Sequence, residues 1–534
     1  MQHEKLKTKN EKSMLIRKTK TLMILIALIL FCGFSKGTMV VEKWQPTDFV
    51  FKADPGSRNP FDIGISAVVK KPDGTSFKVN GFYNGGNTWI IRLSADMEGK
   101  WQFVTNSAEK ALNGRKKSFT CVKNTNSKIH GKLEVNKDNP HYFIYQDGTS
   151  PYVLGYEADF IWSVDLGKDD LSRTEQFLDK ISGSGFNYII LNAFAYDTQW
   201  RKGHTGEFDF GPPAMIPWEG DMTNIDYSKL NIPYWKHYDK VIEAMYRRGI
   251  VAHIFLKVYN KAVIWPVAGS PDDDRYFKWI VDRYSAYPNI VWDFAKESYY
   301  EKDVDYKKRM LKLIRETDPY NHLITLHDDN DYFKGFYDSL VDFHADQFHG
   351  DNRYEISLEQ RAYKNWPVMN IEFGYECGPG GINDKTYDQV QEPKEVCNRA
   401  WVIAMAGSYV TYYYTNTAWD VIRYNETPVG YQYFKILSDF FGTIAYSGFI
   451  PSENKSDKDK GGYSMSKAGK ELLYYRFSAE PFTLKTITPS RNFEGYWLHP
   501  YTGEKRRVEK LINQMAIPPV EWAGDPVVLY ISEI

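Results

Sequence analysis

The chain has almost no net charge and few cysteines, and each scarcity excludes a class of protein. Its 534 residues contain 67 Lys and Arg against 68 Asp and Glu, which leaves a formal net charge of −1. The distribution of Lys and Arg does not suggest a nucleic-acid partner, so a neutral ligand is the better expectation. The four cysteines and 11 histidines form no cluster with metal-ligand spacing. We therefore expect no metal and no organic cofactor.

Long apolar runs are also scarce, and the one near the N-terminus is too short to span a bilayer comfortably. It covers residues 22–31, follows several lysines and precedes small and polar residues. This pattern is typical of a signal peptide, which we place in residues 1–37. The protein is therefore expected to be secreted or periplasmic. Cys32 lies where a lipoprotein cysteine would lie, but Phe31 is bulkier than the usual preceding residue, so a lipid-anchored cell-surface protein remains the alternative.

The other cysteines are an odd set for an exported protein. Cys121, Cys377 and Cys397 remain once the leader is excluded. Their spacing allows a disulfide between Cys377 and Cys397 and equally allows free thiols. The sequence leaves both states open.

Two segments have the period-two pattern of β-strands. Residues 38–128 contain short alternating stretches separated by turn signals such as Pro72-Asp-Gly74, and no helix of useful length fits there. Residues 449–534 have the same period and turns rich in Gly, Pro and Asn. We therefore predict an N-terminal β-sandwich over 38–128 and a C-terminal antiparallel, sandwich-like β-domain over 449–534.

The segment between them, residues 129–448, alternates strand and helix patterns. The predicted strands are residues 152–155, 186–192, 251–256, 290–296, 323–327, 341–344, 367–372 and 409–414. The predicted helices are residues 170–181, 234–248, 275–284, 306–316, 356–364, 395–406 and 431–441. Strands alternating with helices in this way predict an α/β fold, a (β/α)8 TIM barrel, whose active site lies at the C-terminal ends of its strands.

Two glutamates come at the ends of predicted barrel strands. Glu297 ends the fourth strand and Glu372 ends the seventh, so the two side chains are expected to meet across the barrel mouth. Cleavage of a glycosidic bond needs such a pair, because one carboxyl group must donate a proton while the other stays ionised. Glu376 is a rival for the role of Glu372, and Asp293 is disfavoured as a rival of Glu297 because strand alternation is expected to point it elsewhere.

Other polar and aromatic residues lie at or near the predicted mouth. Asn192, His253, His327 and His344 come at or near strand ends, where they would bind sugar hydroxyls or orient the nucleophile; each histidine is equally compatible with a structural hydrogen bond. Lys296 would pair with a catalytic carboxylate, bind an acidic sugar or form a structural salt bridge. Sugar rings stack well on aromatic faces, and two of the loop tryptophans are expected to contact sugar. These are Trp162, Trp200, Trp218 and Trp419, of which Trp162 and Trp419 are the preferred candidates.

Several motifs resemble a known family. Ile371-Glu-Phe-Gly374 resembles the nucleophile segment of the retaining (β/α)8 glycoside hydrolases. Asn59-Pro-Phe61 and Gly81-Phe-Tyr83 resemble the N-terminal sandwich of bacterial proteins whose barrel belongs to the apiosidase-like family. His130-Gly-Lys-Leu-Glu134 resembles the entry into that barrel, and Gly495-Tyr-Trp-Leu-His499 resembles the family's C-terminal β-domain.

The resemblance implies a role for each glutamate. Glu372 would be the nucleophile, with a lowered pKa, and Glu297 the acid/base, with a raised pKa. The family usually carries Asn directly before the acid/base, whereas this chain has Lys296. That departure puts recognition of the hydroxyl beside the reacting carbon in doubt, or indicates a different sugar.

The sequence therefore predicts a secreted glycoside hydrolase that cleaves O-glycosidic bonds of a plant or algal polysaccharide or oligosaccharide by a retaining mechanism. No obligate protein partner is expected, and membrane contact is expected only through a lipid at Cys32. The alternative is a carbohydrate-binding surface protein that has lost catalysis. A polysaccharide lyase would need a Tyr or His base beside a uronate, for which the sequence offers no clear arrangement.

Overall fold

The computed structural model describes residues 39–196, 207–261, 263–327, 334–378, 380–383, 390–415, 421–452, 461–484, 493–508 and 515–534. The predicted signal peptide with Cys32, and the loop residues Trp200 and Trp419, lie outside these ranges. None of the helices in the described ranges has the length and apolarity needed to cross a membrane.

The N-terminal segment consists of two small sheets that face each other. Its strands are β1 (Met39–Glu42), β2 (Thr47–Lys52), β3 (Ser66–Lys70), β4 (Ser76–Asn80), β5 (Phe82–Tyr83), β6 (Thr88–Leu93), β7 (Gly99–Asn106) and β8 (Lys116–Val122). One sheet has the order β1-β8-β7-β3-β4 and the other β2-β6-β5. Inward-facing residues such as Phe49, Trp89, Trp101 and Phe103 form a hydrophobic core of their own. Alternating burial along β7 shows why a period-two sequence folds this way.

The central segment contains eight parallel strands that form a closed ring. They are β11 (Leu154–Glu157), β12 (Tyr188–Asn192), β15 (Val251–Val258), β16 (Ile290–Lys296), β17 (Ile324–Thr325), β18 (His344–Asp346), β19 (Val368–Asn370) and β22 (Tyr409–Tyr414). The pairing order is β17-β16-β15-β12-β11-β22-β19-β18. A parallel bridge between His327 and Ala345 joins the two ends of this order and closes the ring. The strands are buried on both faces, as parallel strands covered by helices must be.

Helices lie between most of the ring strands. They are α1 (Ser172–Gly183), α2 (Ile232–Arg247), α3 (Pro271–Tyr284), α4 (Val304–Thr317), α5 (Arg353–Tyr363), α6 (Pro393–Met405) and α7 (Gly430–Thr443). Side chains of Asn231, Ser270 and Asp303 cap α2, α3 and α4 by accepting hydrogen bonds from backbone N–H groups in the first turn. Local capping therefore explains why these helices start where the sequence predicts, within a few residues.

Two-stranded hairpins and pairs of short strands lie outside the main strand order of the ring. They are β9 (Leu133–Val135) with β10 (Phe143–Tyr145), β13 (Trp218–Asp221) with β14 (Asn224–Leu230), and β20 (Tyr375–Glu376) with β21 (Val390–Gln391). The sixth ring strand pairs over His344–Asp346, three residues later than the predicted 341–344, because its ladder partners lie opposite Val368–Asn370.

The C-terminal segment forms an antiparallel sheet. Its strands are β23 (Ile450–Pro451), β24 (Gly462–Lys467), β25 (Glu471–Arg476), β26 (Phe482–Thr483), β27 (Phe493–Leu498), β28 (Lys505–Arg507), β29 (Met515–Ala516) and β30 (Val527–Glu533). Six of them pair in the order β23-β24-β25-β30-β27-β28. One face encloses a separate core around Phe482, Trp497 and Trp522. The other face packs on α6, where the ring of Tyr475 stacks on that of Trp401 at 5.8 Å.

Candidate active site

Charged side chains converge at the C-terminal ends of the ring strands. Glu157 ends β11 and Asp159 follows it by two residues; Lys296 ends β16 and Glu297 comes next; Glu372 follows β19 by two residues. All five side chains are buried, with 8% exposure for Glu297 and 5% for Glu372. Parallel strands end at the same edge of a closed sheet, so residues far apart in sequence meet there.

Lys296 is at the centre of this cluster. Its Nζ lies 2.9 Å from Asp159 Oδ2, contacts Glu157 Oε1 and lies 3.8 Å from Glu372 Oε2. Burial opposes its charge, but the negative charges of Asp159, Glu157 and Glu372 outweigh burial and raise the pKa of Lys296 well above its ordinary value. The ammonium group is therefore charged at any physiological pH.

Glu297 has a backbone conformation that turns it out of its strand. Its φ of 50° and ψ of 50° are left-handed, which costs a non-glycine residue about 1 kcal/mol or more. Oε1 accepts a hydrogen bond from Asn260 Nδ2 at 2.7 Å and Oε2 accepts one from the Tyr299 hydroxyl at 2.7 Å. The backbone N–H donates to His327 Nδ1 at 3.2 Å. Burial first, and then the negative charge of Glu372, raise the pKa of Glu297.

Glu372 has fewer partners. Its Oε1 accepts a hydrogen bond from the Tyr375 hydroxyl, and its backbone N–H donates to Asn370 Oδ1 at 3.0 Å. Oε2 has no hydrogen-bond partner in the described ranges and lies 3.8 Å from Lys296 Nζ. Burial raises the pKa of Glu372, and Lys296 and Tyr375 oppose that rise. The expectation of a lowered pKa is therefore wrong for the unliganded site, because one ammonium group is shared among three carboxyl groups.

The rival nucleophile Glu376 points to a different part of the molecule. Its Oε1 accepts a hydrogen bond from the Gly430 N–H at the start of α7, at 3.1 Å, and its Oε2 accepts one from the Tyr412 hydroxyl at 2.9 Å. Burial raises the pKa of Glu376 to about 7. Both oxygens of Glu376 therefore accept hydrogen bonds, and a helix N-terminus stabilises a carboxyl group. These structural contacts account for Glu376 without a catalytic role.

His253 belongs to a hydrogen-bonded chain inside the ring. The Tyr188 hydroxyl lies 2.8 Å from His253 Nδ1, and His253 Nε2 lies 2.9 Å from Asp293 Oδ2. The other oxygen of Asp293 accepts the backbone N–H groups of Ala295 at 3.0 Å and His327 at 3.3 Å. Both ring nitrogens of His253 are thus occupied by protein groups, which accounts for this residue without a sugar.

The alternation argument against Asp293 is wrong. Asp293 lies four residues before Glu297, and this even spacing would put both on one side of an ideal strand; its carboxylate contacts His253 inside the ring. Lys296 lies three residues from Asp293, and strict alternation would point the two side chains to opposite faces of β16. Both nevertheless contact groups inside the ring, so strict alternation fails within β16. Asp293 differs from Glu297 in its partner, since it binds His253 and not the charged cluster.

The other two histidines are neutral. Burial, and then the positive charge of Lys296, lower the pKa of His327 well below its ordinary value. Because His327 Nδ1 accepts from the Glu297 N–H, its Nε2 carries the proton and donates to Gln347 Oε1 at 2.9 Å. His327 therefore holds the backbone of Glu297 in place. His344 is fully buried, and burial lowers its pKa to about 3.

Asn192 ends β12 and has no exposed surface. Its backbone N–H donates to the carbonyl of Asp159 at 3.0 Å, which places it next to the charged cluster. Among the residues that the structure describes, neither the oxygen nor the nitrogen of its side-chain amide has a hydrogen-bond partner. A buried amide in this state costs free energy until a ligand or solvent satisfies it, so Asn192 is a credible sugar-binding residue.

Of the four candidate tryptophans, the two that lie within the described ranges, Trp162 and Trp218, are buried. Trp162 is fully buried, and a sugar would reach its ring only if the neighbouring rings moved. These neighbours are Phe160, Phe194 and Tyr234. Trp218 is fully buried as well.

Sequence reasoning missed several residues of the cluster. Glu157 and Asp159 follow the first predicted strand directly, and the strand-end rule that selected Glu297 would have selected them too. Asn260 and Tyr299, which bind the Glu297 carboxylate, lie in loops with no periodic signal.

No metal or disulfide is found in the part of the chain that the structure describes. No group of three His, Cys, Asp or Glu side chains there could hold a metal ion. Cys121, Cys377 and Cys397 are free thiols, so the Cys377–Cys397 disulfide is absent.

Family models match most of the barrel and part of the N-terminal segment. The model described as "Apiosidase-like, catalytic domain" matches residues 137–441. A model described as "Domain of unknown function (DUF5060)" matches residues 40–108. No curated protein matches the chain.

Solved structures of glycoside hydrolases have a similar fold. A candidate glycoside hydrolase from Bacteroides vulgatus ATCC 8482 is 22% identical, with a TM-score of 0.75 over 93% of this chain and 100% of that chain. A glycoside hydrolase family 5 protein from the same organism is 18% identical, with a TM-score of 0.56 over 76% of this chain and 93% of that chain. At these identities the likeness concerns the fold.

Proposed function

The chain belongs to the apiosidase-like family of catalytic domains, and on that premise we propose that it is a retaining glycoside hydrolase built on a (β/α)8 barrel. Glu372 is the nucleophile and Glu297 the acid/base. The observation that carries the proposal is the asymmetry between the two carboxyl groups. Lys296 lies 3.8 Å from Glu372, whereas Glu297 is bound by neutral donors and experiences the negative charge of Glu372.

This asymmetry supports a proton on Glu297 and a negative charge on Glu372. The ammonium of Lys296 favours the ionised form of Glu372, and the charge on Glu372 favours the protonated form of Glu297. In the first step Glu372 attacks the anomeric carbon while Glu297 donates its proton to the departing oxygen. In the second step Glu297 takes a proton from water, the water oxygen bonds to the anomeric carbon, and the bond to Glu372 breaks.

The substrate side of the proposal rests on Asn192 and on the aromatic content of the chain. The side-chain amide of Asn192, which has no partner among the described residues, offers two N–H donors and one acceptor oxygen to sugar hydroxyls. We propose a plant or algal polysaccharide or oligosaccharide as substrate, and a secreted or periplasmic location, with a lipid at Cys32 as the only membrane link. Neither a cofactor nor an obligate protein partner is part of the proposal.

The test has two stages. Reducing-sugar release from a panel of plant and algal polysaccharides identifies a substrate, and proton NMR of the first-formed anomer then gives the stereochemistry. Retention supports the proposal and inversion contradicts it. A crystal structure adds an independent measure, since the carboxyl groups of Glu297 and Glu372 should be about 5–5.5 Å apart in a retaining enzyme and about 6.5–9.5 Å apart in an inverting one.

One observation favours a second candidate, a carbohydrate-binding protein without catalysis. Burial raises the pKa of Glu372, and a protonated Glu372 would not act as a nucleophile. Oligosaccharide affinity measured by calorimetry, without any release of reducing sugar, would support that function.

A further inference from the structure

Two lysines are completely buried on neighbouring ring strands, and only one of them faces the carboxyl pair. Building on the proposed function, we propose that Lys296 is a positioning residue that acts as the internal counter-ion of Glu372, held in place by Asp159 and Glu157, and that the site accepts neutral sugars. This assignment removes Lys296 as a receptor for an acidic group on the substrate.

The geometry leaves the ammonium group no free direction. A lysine ammonium has three N–H donors. Glu157 Oε1 and Asp159 Oδ2 lie within hydrogen-bond distance of Nζ, and Glu372 Oε2 lies at 3.8 Å. The rings of Phe255 and Tyr413 flank the same nitrogen at 5.8 Å each. A carboxylate on the substrate would have to displace one of these groups.

The charges around Lys296 also disfavour an anionic sugar. Four carboxyl groups face the cluster from three ring strands, namely Glu157, Asp159, Glu297 and Glu372. The positive charges that act on them are those of Lys296 and Lys261. His327 and Tyr375 add no charge beside the cluster, because burial lowers the pKa of His327 well below its ordinary value and raises that of Tyr375 well above its ordinary value.

Protons must therefore balance the cluster. Burial raises the pKa of Glu157 well above its ordinary value and raises the pKa of Glu297 as well, so the environment of both carboxyl groups favours the protonated form. Asp159 Oδ2 lies 2.9 Å from Lys296 Nζ and forms the ion pair. A uronate or sulfated sugar would add one more negative charge beside these carboxyl groups, and Lys296, the cation in contact with them, already pairs with Asp159 and Glu157.

Lys257 provides a matched control. It is 1% exposed, as is Lys296, and lies on the adjacent strand β15. Its Nζ lies 2.7 Å from Asp273 Oδ1 and 2.8 Å from the Tyr306 hydroxyl, which are groups on helices α3 and α4. Removing it breaks a buried ion pair of similar quality on the helix side of the ring.

The first arm of the experiment needs no substrate. The full chain is labelled with ¹³C at glutamate carboxyls, and the Glu372 resonance is assigned with Glu372→Gln. We expect Lys296→Met to raise the titration midpoint of Glu372 by about one to three pH units, since an opposite charge within this distance shifts a carboxyl by that amount. Lys257→Met should leave that midpoint unchanged even though it lowers the Tm. Lys296→Arg should preserve the wild-type midpoint.

A second variant keeps the test decisive if Lys296→Met does not fold. Asp159→Asn removes the charge that competes for Lys296 and should lower the Glu372 midpoint, a shift of opposite sign. An unchanged midpoint in Lys296→Met, or in Asp159→Asn, overturns the proposal. An equal shift in Lys257→Met overturns it as well, because the effect would then be structural.

The second arm uses 4-nitrophenyl glycosides of neutral hexoses and pentoses alongside the matching uronides. We expect turnover of the neutral glycosides, with kcat/KM for the matching uronide lower by 100-fold or more. In Lys296→Met the acidic limb of the pH–activity profile should move to higher pH together with the Glu372 titration midpoint. A preferred uronide whose turnover is lost in Lys296→Met overturns the proposal. If neither glycoside nor polysaccharide is hydrolysed, the proposed function fails, while the titration arm still decides the role of Lys296.

Discussion

Two layers of buried polar groups lie inside the same ring of strands, and they are satisfied to different degrees. In the lower layer Tyr188, His253 and Asp293 form one chain of hydrogen bonds in which the imidazole and the carboxylate are fully occupied. In the upper layer, at the strand ends, one ammonium group serves three carboxyl groups. Within the described part of the chain, the side-chain amide of Asn192 has no hydrogen-bond partner there.

This difference distinguishes buried polar groups that stabilise the fold from buried polar groups that a ligand or a reaction uses. A buried polar network with every member satisfied fixes a unique packing, which is the role of the lower layer. Unbalanced charge and unsatisfied amides cost stability and persist where a ligand or a reaction uses them. The upper layer is therefore the part of the ring in which substitutions should change activity more than folding.

The largest effect is expected at the nucleophile. Glu372→Ala removes the group that attacks the anomeric carbon in the proposed mechanism, so turnover should fall by about 10⁴-fold or more. Steady-state assays on the identified substrate measure this. Glu376→Gln is the matched control from the same segment and should stay within tenfold of wild type. Equal losses in both variants would contradict the assignment.

The acid/base should show an effect that depends on the leaving group. Glu297→Ala removes proton donation, so poor leaving groups should lose about 10²–10⁴-fold in kcat/KM while 2,4-dinitrophenyl glycosides lose much less. Added azide should restore turnover of the activated glycosides by replacing the base-activated water. Uniform loss over both kinds of glycoside, without azide rescue, would argue that Glu297 has another role.

A substitution in the lower layer should reduce stability more than activity. Asp293→Ala leaves His253 Nε2 and two backbone N–H groups without an acceptor, so the free energy of unfolding should fall by about 3 kcal/mol. Urea denaturation measures the loss. Turnover per folded molecule should change by less than tenfold. A large fall in kcat with unchanged unfolding would place Asp293 in the upper layer instead.

The smallest expected effect is electrostatic. The negative charge of Glu372 contributes to the raised pKa of Glu297. Glu372→Gln removes that charge, so the titration midpoint of Glu297 should move down by about one pH unit. Carboxyl-labelled NMR follows the shift, with Glu376→Gln as the control. An unmoved midpoint would mean that the two carboxyl groups are too far apart to share a site.

The sequence alone determined the order of elements and the positions of the two glutamates. Helix starts are local events, since Asn231, Ser270 and Asp303 cap helices through their own first turns. Glu297 and Glu372 follow strand patterns that are also local. The likeness of residues 371–374 to a family motif adds their roles, because a short segment at a strand end keeps its chemistry wherever the strand is placed.

The tertiary structure alone decided which buried groups meet. Lys296 binds Glu157 and Asp159 across more than 130 residues of sequence, and His253 binds Asp293 on the neighbouring strand. Periodicity reports which face of a strand is buried, whereas these pairs depend on register, on ring closure and on the broken alternation within β16. The sequence pattern predicts that Trp162 lies in a loop, yet its side chain is fully buried. A local pattern could not predict this, because burial depends on the assembled ring and not on the segment.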